Sequence, residues 1–143
     1  MARARYGIRE EIRDAIDAFY RALTHENLKA VEAIWAQVPY ASVAGRSGDV
    51  QQGWDGVRRY LEQRFRKGQP LVKVRLTKML CHAIGDVAWV SGTEIRTIST
   101  PDGPKDERLR MTGVLERQGS GWQIVSYHAS LPMETATPAT ESG

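Results

Sequence analysis

Cysteine is almost absent. The single Cys81 has no partner within the 143 residues, so an intramolecular disulfide and a cysteine-type zinc site are both excluded. That usage suits a reducing compartment, and a cytoplasmic location is the expectation. Histidine is nearly as scarce. The three present are scattered without paired acidic spacing, so no metal site is predicted. No apolar run is long enough to span a bilayer, and the start "MARARYGIREE" lacks the apolar core of a signal peptide. Glycine-rich phosphate loops are missing too, because "GRSG" and "GSG" are short and read as hairpin turns.

The chain otherwise has the composition of a water-soluble globular domain, 41 % hydrophobic and 26 % charged. Net charge is +3 and the basic residues are mostly Arg, which raises the question of nucleic acid. Acids are interleaved with them, however. Arg58 and Glu62, then Glu62 and Arg66, stand at i,i+4 and read as solvated helix faces rather than a binding patch. Only Arg3, Arg5 and Arg9 near the start remain as candidates for loose anion contact.

Apolar residues at Ile8, Ile12, Ala15, Ile16, Phe19 and Leu23 form one stripe of an amphipathic helix. Asn27 is placed to cap a second helix, with Leu28, Val31, Ile34 and Trp35 on its buried face and Pro39 beyond it. "YASVAGRSGDVQQ" reads as a short hairpin, and Gly53 leads into a third helix that stops at Gly68 and Pro70. After Pro70 the period changes from helical to two. Leu71–His82, Asp86–Ser99, Asp106–Arg117 and Trp122–Leu131 are then four strands of an antiparallel meander joined by short turns. The fold class is α+β, with three helices packed on one face of a curved antiparallel sheet. One domain over 8–132 is expected, between a mobile arm at 1–7 and a disordered tail at 133–143.

The last strand changes character along its length. Trp122 and Ile124 are apolar, whereas Ser126, His128 and Ser130, at the same two-residue spacing, are polar. Taking "QGSG" as the loop, Arg117 pairs with Trp122, Leu115 with Ile124, Gly113 with Ser126 and Met111 with His128. On that register His128, Ser126, Gly113 and Met111 share the interior with Trp122. Either they line a wet pocket, or His128 is a core histidine tied to the backbone. Gly92 and Gly113 fit a pocket and fit simple sheet curvature equally.

The order of elements, the helix "GWDGVRRYLE" and the closing "LERQGSGWQIVSYHAS" resemble the nuclear transport factor 2-like superfamily, SnoaL-like group. That group is similar to the association domain of calcium/calmodulin-dependent kinase. The resemblance runs from Ile8 to Pro132 and implies a cone-shaped fold, a pocket at its open end and a homodimer joined through the outer sheet face. On that face Trp89, Ser91, Thr93, Ile95, Val125 and Tyr127 are expected. The family's ketosteroid isomerase set does not carry over, since Phe19 stands at the tyrosine position. Gly113 and Glu94 stand near the two pocket arginines of the kinase domain.

Glu94 and His128 are the candidate acid/base pair. Tyr20, Trp35, Tyr40 and Trp54 are placed by the resemblance at the pocket mouth, where aromatics suit a small apolar or planar ligand. Each could equally be core or rim packing. Two functions stay open: a small-molecule-binding protein, and a cofactor-free isomerase or cyclase moving protons on an apolar or polyketide-like substrate.

Overall fold

The structure, a computed structural model, describes residues 7–46, 48–68, 70–119 and 121–133. The proposed mobile arm and disordered tail fall, apart from Gly7 and Met133, outside the described residues.

Helix α1 (Ile8–Thr24) begins at Gly7, whose backbone N–H is held by Glu10. It buries Ile12, Ile16, Phe19 and Leu23 of the expected stripe together with Tyr20, whereas Ala15 is half-buried and Ile8 is exposed. Helix α2 (Leu28–Ile34) is capped by Asn27, which accepts from the Ala30 N–H at 3.1 Å. It ends five residues before Pro39, because Trp35 turns extended and bridges to Ile124, and Ala36 donates to the Ile124 carbonyl at 2.8 Å. Joining the sheet satisfies backbone groups that another helical turn would leave to water. Helix α3 (Gly53–Lys67) ends at Gly68, whose φ of 69° favours a residue without Cβ.

Strands β1 (Ser42–Ala44) and β2 (Gln51–Gln52) form the short hairpin. The meander is β3 (Leu71–Ile84), β4 (Val87–Thr100), β5 (Gly103–Gln118) and β6 (Gly121–Ser130). All six make one sheet in the order β2-β1-β6-β5-β4-β3, antiparallel except for β1 beside β6. Helices and sheet enclose a core in which Phe19 meets Tyr127 and Trp35 edge-on, with ring centroids 5.0 and 5.8 Å apart. Each such buried aromatic or aliphatic side chain contributes about 1.5–3 kcal/mol.

Besides a slip between Leu71 and Lys73 at the start of β3, two bulges set which residues face that core. On β3 the pairing slips between Thr77 and Leu80, with Lys78 at φ 55°. From α1, Arg13 and Arg9 donate to the Leu76 and Met79 carbonyls at 2.9 and 3.0 Å. Arg9 is therefore part of the frame, not a free anion contact. The bulge also explains Gly92, because a Cβ there would lie 2.8 Å from the Thr77 carbonyl oxygen.

The second bulge corrects the expected register of β6. Arg117 does face Trp122, and Leu115 faces Ile124. Val125 then inserts, so Val114 pairs with Ser126, Gly113 with Tyr127, Thr112 with His128 and Met111 with Ala129. A one-residue slip exchanges the two faces of everything that follows. Tyr127 and Ala129 turn inward and are buried, whereas Ser126, His128 and Ser130 turn out.

Candidate functional site

Glu94 sits on β4, on the inward face shared with Ala88, Val90 and Arg96, and has no exposed surface. A carboxylate so placed needs a donor for each oxygen. Arg96, two residues along and so on the same face, supplies its Nε at 2.6 Å from Oε2. Tyr20 of α1 and Tyr127 of β6 donate their hydroxyls to Oε1 at 2.8 and 2.6 Å. Arg96 Nη2 donates in turn to the Tyr127 oxygen at 3.2 Å. Four side chains from α1, β4 and β6 thus close one hydrogen-bonded cluster inside the cone.

Electrostatics hold both phenols protonated and Arg96 charged. Burial, and then the charge of Glu94, push the Tyr20 hydroxyl far above its usual value, and the same two causes act on Tyr127. Both remain protonated donors. Burial works against the Arg96 cation, but Tyr127 and Glu94 outweigh it and its pKa is raised. Buried charge is tolerated here because it is paired and hydrogen-bonded to its neighbours.

Beside the cluster, a cavity of about 180 Å³ opens where β3 begins and β4 ends. Arg46, Pro70, Leu71, Arg96, Ile98 and Glu107 line it. Arg46, from the β1–β2 turn, forms an ion pair with Glu107 of β5 at 2.6 Å. An open groove of about 230 Å³ also runs between Tyr20, Asp17 and Arg21 of α1 and Val72, Lys73 and Val74 of β3.

The residues expected at the site are distributed differently. Glu94 is inside and wholly buried. His128 is not its partner; it lies on the outer face, with Nδ1 3.4 Å from the Thr112 hydroxyl. Ser126 faces out as well and shares a hydrogen bond with Ser42. Met111 is fully buried core, and a Cβ at Gly113 would meet Val90, Ser126 and Met111 atoms at 3.2–3.4 Å. Gly113 marks close packing, not an open cavity. Of the aromatics, Tyr20 belongs to the cluster, while Trp35 is wholly buried against Phe19. Tyr40 is exposed and donates to Glu116. Trp54 lines a separate surface groove with Pro39 and Asp55.

Arg96, Tyr127, Arg46 and Glu107 were not singled out from sequence. Glu94 and Arg96 at i,i+2 do carry a signal, since opposite charges on one face of a strand pair readily. For Tyr127 the signal was inverted by the bulge, which moves it from the expected outer face to the interior. Among the described residues no group of three or more His, Cys, Asp or Glu side chains could hold a metal ion. Nor is any described helix long and apolar enough to cross a membrane.

Solved structures share this architecture. One is a proposed calcium/calmodulin dependent protein kinase II association domain from Xanthomonas campestris, at TM-score 0.75 and 22% identity over 90% of this chain and 91% of that one. Another is a proposed dehydratase of the nuclear transport factor 2-like family from Streptomyces avermitilis, at TM-score 0.74 and 21% identity over 87% and 96%. A third, from Novosphingobium aromaticivorans, is a nuclear transport factor 2-like protein with a cystatin-like fold, at TM-score 0.75 and 17% identity over 97% and 92%. At these identities the likeness is one of fold, the cone of helices and curved sheet. No curated protein matches the sequence at a significant level. The model of the SnoaL-like domain matches residues 12–134, nearly the whole chain, and the protein belongs to that family.

Proposed function

We propose that the protein binds a small molecule in the cavity beside Arg96 and does so without catalysis. The observation that carries this reading is the state of the interior cluster. Both phenolic protons and the Arg96 Nε are committed to Glu94, and the two phenols hold their protons far above neutral pH, so neither is poised to give one up. The cavity itself combines an apolar wall of Pro70, Leu71 and Ile98 with a few convergent polar groups, the pattern of a ligand site. A thermal-shift screen of small neutral and charged ring compounds tests it. A hit should raise Tm in the wild type and lose its effect in Ile98→Trp, which fills the cavity. A hit that stabilises Ile98→Trp equally would refute the site.

The alternative, an isomerase or cyclase acting on an apolar or polyketide-like compound, finds support in the buried carboxylate and in the Streptomyces relative described as a proposed dehydratase. It would have to run through Glu94 and Tyr20, since His128 faces away. Turnover by the wild type that Glu94→Gln abolishes would favour it.

The partner we propose is a second copy, docked on the outer sheet face. Leu80 is 70% exposed there, Trp89 is 45% exposed, and Ile84 and Val87 continue the patch. Water contact with that much apolar surface is unfavourable. Tyr127 takes no part, being interior. Trp89→Asp should yield monomers in sedimentation, and a monomeric wild type at micromolar concentration would refute the dimer.

A further inference from the structure

We propose that one half of the outer sheet face is a docking surface for an acidic partner, an extended peptide segment with carboxylates at alternate positions.

The pairing of β3, β4 and β5 fixes which side chains stand together on that half. Arg75 lies level with Ile95 and Arg108, and Lys73 lies level with Thr97 and Asp106. Thr77, Thr93 and Arg110 form the next level. All of these point away from the core, because Val74, Leu76, Glu94, Arg96 and Leu109, which alternate with them, are buried inside. Lys73, Arg75, Arg108 and Arg110 are exposed. Ile95, flanked by two of them, is only 5% exposed, which fits long arginine stems lying over it with their charged heads in water.

Little on this half compensates the four cations. None of them forms an ion pair among the described residues. Arg110 spends Nη2 on the neutral Ser130 hydroxyl and Leu131 carbonyl, at 3.0 and 3.4 Å. Asp106 is the one carboxylate at these levels, and it accepts from the Thr97 hydroxyl at 2.8 Å. The arginines of α3 are different, since Arg58 and Arg66 both meet Glu62. A field of one sign attracts a partner of the other.

Spacing narrows the choice of partner. Side chains two residues apart on a strand stand about 6.5–7 Å from each other, and an extended peptide gives its alternate side chains the same repeat. Carboxylates at alternate positions therefore match Lys73 with Arg75, or Arg108 with Arg110, one to one. Each arginine can hold a carboxylate through two N–H donors. Single-stranded nucleic acid stacks its bases on aromatic side chains, and these levels carry none. A lipid surface takes up exposed apolar side chains, and Leu80, Ile84, Val87 and Trp89 lie beyond the Thr77–Leu80 bulge, in the half proposed for the second copy.

The test is fluorescence anisotropy at low salt with a labelled peptide of alternating Glu and Thr, beside the same peptide with Gln for Glu. Wild type should bind the Glu peptide about tenfold more tightly, a difference that a few exposed charge pairs support. Added salt should weaken that binding. Arg75→Gln/Arg108→Gln should lose about the same factor, whereas Arg66→Gln on α3 should keep full affinity. Should the double variant fail to fold, Lys73→Gln makes the same comparison with a loss of about threefold. Equal binding of the two peptides, or of neither, overturns the proposal. So does stronger binding of an oligothymidylate or of phosphatidylserine vesicles at equal concentration of negative charge. A change in the sedimentation of Arg75→Gln/Arg108→Gln also overturns it, because a second copy would then cover this half of the face.

Discussion

Removing Arg96 isolates the energetic logic of the interior cluster. In Arg96→Met the stem is replaced by an apolar chain of similar reach, and Glu94 is left fully buried without its cation. Breaking one side of a buried pair costs about 3–5 kcal/mol. The Tyr20 and Tyr127 hydroxyls still donate to Oε1 and soften the loss, so the low end of that range, about 3 kcal/mol, is expected. In a chain of this size each kcal/mol lowers Tm by about 2–4 °C, giving a fall of roughly 6–12 °C. The double variant Glu94→Gln/Arg96→Met should be more stable than Arg96→Met alone, by about 1–2 kcal/mol. Its amide oxygen still accepts from both phenols, and no charge remains to be buried. Urea unfolding followed by tryptophan fluorescence measures both. Arg96→Met within about 1 kcal/mol of wild type, or a double variant less stable than the single, would refute the account of Glu94 as a buried charge held by its partners.

The tyrosines predict an alkaline limit. Folded Tyr20 and Tyr127 hold their protons well above pH 10, where the unfolded chain releases them, so their contribution is intact below pH 10 and falls above it. The expected slope is about 1.4 kcal/mol per pH unit for each tyrosine, and Tyr20→Phe should remove one share. Stability flat between pH 10 and 11 would contradict this. His128→Ala should change stability by no more than about 0.5 kcal/mol and leave ligand binding untouched, because among the described residues its side-chain hydrogen bond is the long one to Thr112. Gly113→Leu should destabilise by about 1–3 kcal/mol through overpacking against Val90 and Met111. A neutral melt for Gly113→Leu would mean that open space exists there after all.

Periodicity alone determines most of this architecture. The stripe of α1, the Asn27 cap, the stop at Gly68 and the four alternating strands are each written in neighbouring residues. They appear where local spacing places them, and α2 is shortened only because Trp35 joins the sheet. The inward position of Glu94 follows from the same alternation, since β4 carries no extra residue and pairs with β5 without a slip. What only the tertiary structure decided is the phase of β6 beyond Ile124. Nothing local distinguishes Val125 as the residue that inserts. Its insertion is chosen by what the two alternatives would bury. Without it, Ser126 and His128 would enter the core beside Phe19, and Tyr127 would face water. With it, Tyr127 reaches both Phe19 and Glu94. A buried carboxylate needs donors from elements far apart in the chain, and α1 and β6 meet at β4 only once the sheet has closed around the helix.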